Sequence, residues 1–163
     1  SSYQYGTWKN LRRIPDDTGR KFMVSADNAH ALHPNYTDKT DPTNHPVLNK
    51  GIVIKFNANQ KYCTDAVSAA IFKELCTKAG VPYQTFVNRS DIAGGSTLGN
   101  IQYAVPMNTV DIGLPQLAMH SPYETAGVKD TEYLVRAAEE LFCVKVLDEI
   151  LCRRNGRTKR RTE

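Results

Sequence analysis

The sequence predicts an α/β fold with a mainly parallel sheet and flanking helices. Three observations predict it. Four short apolar runs have strand length and are separated by polar or glycine-rich loops. Two longer segments carry apolar residues at helical spacing. The two kinds of segment alternate, as strands joined by crossover helices do.

Residues 7–20 are polar, with a turn signal at Pro15-Asp16-Asp17. Lys21 to Ala26 reads as a first strand ending at Asp27. Residues 34–49 are rich in Pro, Asn, Asp and Thr and read as a loop. Gly51 to Phe56 is a second strand, and its nearly unbroken apolar run suits burial on both faces. Thr64 or Asp65 can cap a helix over 66–79, with Val67, Ile71 and Leu75 on one face and Gly80 as its stop. Tyr83 to Val87 is a third strand, and Asn88 to Gly99 a glycine-rich loop. Thr109 to Gly113 is a fourth strand, followed by irregular chain over 114–129. Asp130 is expected to cap a long helix reaching about 151, with Leu134, Ala137, Ala138 and Leu141 on its apolar face.

Charge divides the chain into a body, 1–151, and a tail, 152–163. The net charge is +4. The tail holds Arg153, Arg154, Arg157, Lys159, Arg160 and Arg161 against Glu163, so the body is close to neutral. A basic tail can bind nucleic acid or anionic lipid. Its plainer reading is a solvated, disordered end, so nucleic acid is not the expected partner. No apolar run approaches the roughly 20 residues that span a bilayer. The start lacks a basic region followed by an apolar one, so no signal peptide is expected. It opens at Ser1 without an initiator methionine, the pattern of a processed product or a fragment. The four cysteines, Cys63, Cys76, Cys143 and Cys152, form no Cys-x-x-Cys pair. Free thiols point to a reducing compartment and a cytoplasmic location.

In an open α/β sheet, ligands bind beyond the carboxyl ends of the strands. Polar residues cluster in such places here: Asp27, the 88–99 loop and His120. Asp27, His30 and His33 offer carboxylate and imidazole donors, and a spacing of three would put them on one face of a helical turn. His120 follows an apolar run and stands equally for a metal ligand, a base or a satisfied core histidine. The loop Asp91 to Gly99 lacks the Gly-Lys-Ser/Thr ending of a phosphate loop and suits a backbone-lined substrate loop. Lys55 ends an apolar strand and is either solvent-facing or aimed at an anion.

Four separated motifs then carry a resemblance. They are Ser25-Ala26-Asp27-x-Ala29-His30-Ala31-x-His33-Pro34-Asn35-Tyr36, Val53-Ile54-Lys55-x-Asn57, Gly95-Ser96-Thr97-x-Gly99, and Val110-Asp111-Ile112-Gly113-x-Pro115-Gln116-Leu117-Ala118-Met119-His120-Ser121. In order and spacing they resemble the C-terminal third of the aspartyl aminopeptidases, over about 21–150. The resemblance implies a partial catalytic domain of a two-zinc aminopeptidase. It implies Asp27 as a ligand to one zinc ion and His120 as a ligand to the other. Lys55, Gly95, Ser96 and Thr97 would meet substrate, with Lys55 near an acidic first side chain. His30 and His33 would orient Asp27 and its loop and leave the metal to others, which demotes the Asp27, His30, His33 triad. The implied reaction is removal of the first residue of a peptide by a metal-activated water, with a glutamate as base. The implied partners are a peptide substrate, like subunits in an oligomer, and no membrane.

The chain departs from that family in what it lacks. The family's other histidine, its bridging aspartate and its Glu-Glu pair belong to an N-terminal half that has no counterpart here. The Glu139-Glu140 pair sits on an amphipathic helix and reads as a solvated face. The chain alone is therefore expected to be inactive, with no catalytic base of its own. The alternative is an inactive module used for assembly or interaction.

Overall fold

The computed structural model describes residues 21–89, 91, 94, 95, 98 and 107–143. The turn at 15–17, Ser96, Thr97, the end of the long helix at 144–151 and the tail 152–163 lie outside them.

Alternation along four strands builds the main sheet. These are β1 (Phe22–Ala26), β3 (Ile52–Phe56), β4 (Tyr83–Val87) and β5 (Asn108–Gly113), in the spatial order β1-β5-β3-β4. β1 pairs with β5 in parallel, and β3 with β4 in parallel. The mainly parallel expectation thus holds at two of three junctions. The third, β3 with β5, is antiparallel and covers only Val53↔Gly113 and Ile54↔Ile112. Past that short ladder Thr64 intervenes: its hydroxyl accepts from the Asp111 amide at 2.8 Å.

Successive side chains on a strand point to opposite faces. Val24, Ile52, Ile54, Val110 and Ile112 turn to one face and pack under two helices. Helix α1 (Ala66–Ala79) contributes Ile71, Phe72, Leu75 and Cys76, and α2 (Val128–Cys143) contributes Ala137 with Leu134 and Leu141. The opposite face is unlike it. Ser25, Lys55, Thr109 and Asp111 lie there, all buried. The sheet therefore has an apolar side closed by helices and a second side, closed by loops, where these polar groups stand beside the smaller apolar cluster of Ala29, Val53, Tyr62 and Phe86.

Local chemistry sets the helix ends. Asp65 caps α1 by accepting from the Ser68 amide, Ser68 returns the bond to Asp65, and Gly80 closes the helix in a left-handed conformation. The start of α2 differs from expectation. The helix begins at Val128, so Asp130 lies within its first turn and is not its cap. Asn49 supplies the capping oxygen from far away, accepting from the Lys129 amide at 3.0 Å. Asp130 is free to turn back towards the loop that Asn49 ends.

The segment expected to be irregular, 114–129, holds two more strands, β6 (Pro115–Leu117) and β7 (Thr125–Ala126). With β2 (Ala29–His30) they form a second sheet in the order β2-β6-β7. β2 runs parallel to β6, and β6 and β7 make a hairpin. Strands of two or three residues leave no periodicity to detect. This small sheet nevertheless brings the 27–36 segment beside the 115–126 segment.

No described helix is long and apolar enough to cross a membrane. Among the described cysteines, Cys63, Cys76 and Cys143 form no disulfide.

Candidate metal and substrate site

Lys55 organises the polar groups of that second side. It is 3% exposed, at the end of a strand whose other positions are apolar. A buried ammonium needs partners. Its Nζ donates to the Asn28 carbonyl at 3.0 Å and stands 3.7 Å from Asp27 Oδ2. It also lies 5.3 Å from the Tyr62 ring centre, within cation–π range. Burial pulls its pKa down, and Asp27 and Asp111 push it back up. Of the two fates open to this lysine, being aimed at an anion is the one observed. The anion is the chain's own Asp27.

Asp27 follows β1, where its amide donates to the Ile112 carbonyl at 3.0 Å. Its side chain is half exposed. The next residue, Asn28, donates to Gln116 Oε1 at 2.8 Å, tying this turn to β6. His120 sits at the tip of the β6–β7 hairpin with a left-handed backbone, φ +68°. Partial burial lowers the pKa of His30 first, the charges of His120 and Lys55 lower it further, and Asp27 opposes them. Asp27 and His120, distant in sequence, are thus both within electrostatic reach of His30.

The helical-turn arrangement of Asp27, His30 and His33 does not occur, because Ala29–His30 is a strand. His33 has its own local partners. Its Nδ1 accepts from the Asn35 amide at 3.1 Å, and its ring lies 5.0 Å from that of Tyr36. Among the described residues, no three His, Cys, Asp or Glu side chains are gathered closely enough to hold a metal ion. The donor chemistry at Asp27 and His120, carboxylate oxygen and imidazole nitrogen, suits zinc.

Because β5 opposes β3, the carboxyl ends of β1 and β5 lie at one edge of the sheet and those of β3 and β4 at the other. Asp27 stands just past the carboxyl end of β1, and the loop that it begins runs to Gly51. That loop walls several cavities, two of them at His30. One, of about 270 Å³, lies between His30, His33, Tyr36 and Lys39 on one side and Phe86, Asn88 and Arg89 on the other. The second, of about 500 Å³, lies between His30, His33, Tyr36 and Gln116, Leu117 and Ala118.

In the glycine-rich loop, Gly95 is exposed and a Cβ there would meet nothing within 4 Å. At Gly94 a Cβ would instead meet the end of the Asn88 side chain, which would have to shift. Ser96 and Thr97, expected to meet substrate, lie outside the described residues. Glu139 is exposed and Glu140 half-buried on α2, across the sheet from Lys55, so the solvated-face reading of that pair fits. Sequence reasoning missed Asp111. Its buried carboxylate accepts from the Cys63 amide at 2.6 Å beneath Lys55. The odd charge in the Val110–Ile112 run was the available signal.

Comparison with known proteins follows this geometry. The pattern of the aminopeptidase I zinc metalloprotease (M18) family matches residues 7–142. A probable M18 family aminopeptidase 2 of Clostridium novyi is 51% identical over 124 residues, covering 76% of this chain and 29% of the relative. In the cryo-EM structure of the Ape4 and Nbr1 complex, a chain superposes with a TM-score of 0.77 at 42% identity, covering 82% of this chain and 26% of the other. The S. cerevisiae mApe1 dodecamer superposes with a TM-score of 0.69 at 29% identity, covering 79% and 28%. The chain spans less than a third of the length of these relatives.

Proposed function

Since the chain belongs to the aminopeptidase I zinc metalloprotease (M18) family, we propose that it supplies part of the metal centre of a peptidase that removes the first residue of a peptide. One observation supports the proposal: β2 pairs with β6 and Asn28 bonds Gln116, which sets the Asp27 turn beside the strand that leads to His120. In this reading Asp27 and His120 each donate to one of two zinc ions. Zinc in such a centre lowers the pKa of a shared water and polarises the scissile carbonyl. The chain's own residues position donors: Lys55 fixes the Asp27 turn, and His30 and His33 shape the loop around it. The remaining ligands and the glutamate base come from polypeptide corresponding to the rest of the relatives' length. Residues 1–151 form this share of the catalytic domain, and 152–163 a basic tail. The dodecameric neighbour supports a homo-oligomer, and the described cysteines, which form no disulfide, support a cytoplasmic setting.

The finer reading is an acidic first residue. His30, His33 and Lys39 line the smaller cavity and supply cationic or hydrogen-bonding groups to it, alongside Asp41 and an Arg89 already paired with Asp91. Lys55 acts one step back, on Asp27. Lys55→Met is accordingly expected to lower turnover of acidic and neutral aminoacyl substrates by the same factor, roughly 10–100-fold. The kcat/KM ratio of the two substrate classes checks this, and a loss confined to acidic substrates would put Lys55 on the substrate itself.

The test of the whole reading mixes this chain with the remaining length of a relative. Zinc content and turnover of an aminoacyl substrate are then measured. Turnover should appear only in the mixture, and zinc that the chain alone binds weakly should be retained by the mixture. Asp27→Asn or His120→Ala in the mixture should lose more than the roughly 10–100-fold typical of outer-shell residues. An inert mixture, or unaffected variants, ends the proposal.

A second reading, an assembly or interaction module, has one observation in its favour. Val128, Val135 and Phe142 lie exposed at heptad spacing along α2. It would show as a discrete high-mass species that forms without metal and catalyses nothing.

A further inference from the structure

The hairpin tip that carries His120 is backbone-strained, and one side chain braces it. Leu117 pairs with Thr125, so residues 118–124 close the β6–β7 hairpin. Two of them, Ala118 at φ +53° and His120 at φ +68°, occupy the left-handed region without being glycine. Side chains with a Cβ are rarely stable there unless the surroundings over-determine the conformation. The Ser121 amide donates to the Ala118 carbonyl at 3.0 Å and closes a tight turn around residues 119 and 120. That closure leaves the His120 amide to be satisfied separately. Glu124, one residue before β7, meets it: the His120 amide donates to Glu124 Oε1 at 2.6 Å. Such a length is that of a charge-assisted bond to a carboxylate. Two further local bonds stiffen the arm bearing Glu124, from the Tyr123 amide to Ser121 Oγ at 3.1 Å and from Thr125 Oγ1 to the Tyr123 carbonyl at 3.2 Å.

We infer that Glu124 is a positioning residue, whose carboxylate locks the His120 backbone in the left-handed conformation that directs the imidazole into the site. A histidine held this way has lost its backbone freedom before any cation arrives, and preorganised donors bind more tightly than mobile ones. Glu124 does not reach the reacting atoms in this scheme. It acts through the main chain of its neighbour, so its oxygen matters more than its charge.

This rests on the reading of His120 as a metal donor, and the experiment separates the two. The 163-residue chain, isotopically labelled, is titrated with zinc while NMR follows two signals. The first is the His120 amide-to-Hα coupling with its Cα shift, which reports the left-handed backbone and involves no metal. The second is the zinc-induced shift of the imidazoles at positions 30 and 120. Glu124→Ala should move the backbone signal towards ordinary turn values and raise the zinc concentration needed for the imidazole shift roughly tenfold. Glu124→Gln, which keeps an acceptor oxygen in place, should restore most of both. Unchanged backbone and zinc responses in Glu124→Ala would overturn the inference, as would Glu124→Gln failing as badly as Glu124→Ala. In a third variant, His120→Ala, an unaltered zinc response at His30 would instead overturn the donor role of His120.

Discussion

Gly113→Ala is expected to cost about 3 kcal/mol of stability or more, as forced overpacking against backbone does, and to displace Asp27 in whatever remains folded. Gly113 stands where three strands meet. It pairs with Val53 of β3, while its neighbour Ile112 pairs with Ala26 of β1. The Asp27 amide bonds to the Ile112 carbonyl and the Ala29 amide to the Leu114 carbonyl, so the Asp27–Asn28 peptide is drawn directly across Gly113. A Cβ there would occupy the space of the Asp27 carbonyl oxygen, with the Ala29 nitrogen 3.1 Å away. Neither neighbour is the flexible end of a side chain, so neither can yield. Gly95→Ala is the matched control, because nothing lies within 4 Å of its Cβ. Urea unfolding midpoints of the two variants decide the matter. Equal midpoints would mean that the close approach at Gly113 does not constrain the fold.

The value of that glycine could not be read from the chain alone, and the reason applies more widely. The four strands of the main sheet and both helices were legible because each declares itself locally. Ile52 to Phe56 is an apolar run of strand length, and Ile71 and Leu75 recur at helical spacing before a glycine stop. Pairing direction is not local. Nothing within Val110-Asp111-Ile112 announces that it runs against β3, so the carboxyl ends of the four strands were expected at one edge of the sheet and are divided between two. β6 and β7 were invisible because three and two residues carry no period. Asp27, His30, Lys55 and His120 were legible as residue types beside apolar runs, though of the four only Lys55 is buried. Their supports were not legible. Glu124, Asn49 and Asp130 act on backbone amides, and a carboxylate or amide that serves an amide has no sequence signature beyond its own polarity. Gly94 and Gly95 are adjacent and identical in type, yet only the packing of Asn88 distinguishes them.

Asp130→Ala should be among the most damaging substitutions in the chain, costing about 3–5 kcal/mol if two buried amides each lose a charge-assisted partner. Asp130 is fully buried at the start of α2. Its carboxylate accepts from the Asn49 amide at 2.7 Å and the Gly51 amide at 3.0 Å. It lies in the first turn of a helix, where the helix dipole favours a negative charge. The space around it has no slack, since a Cβ on Gly127 would press on both Asp130 and the Asn49 backbone. The consequence reaches the loop-covered side of the sheet through the chain. The loop that begins at Asp27 ends at Gly51, and it is tethered at both ends by buried charges of opposite sign. Lys55 holds the Asn28 carbonyl at one end, and Asp130 holds the Asn49 and Gly51 amides at the other. Between them the Gln84 side chain clasps the Val47 amide and carbonyl at 2.8 and 3.0 Å. Loss of the Asp130 tether should therefore free the segment bearing His30 and His33 before the sheet itself opens. Asp130→Asn keeps one acceptor oxygen and should fall between wild type and Asp130→Ala. Hydrogen exchange at the amides of Asn49 and Gly51, followed beside those of Ile54 and Val110, separates loop release from global unfolding. Loop amides that stay as protected as strand amides in Asp130→Ala would show that the loop is held by something other than this carboxylate.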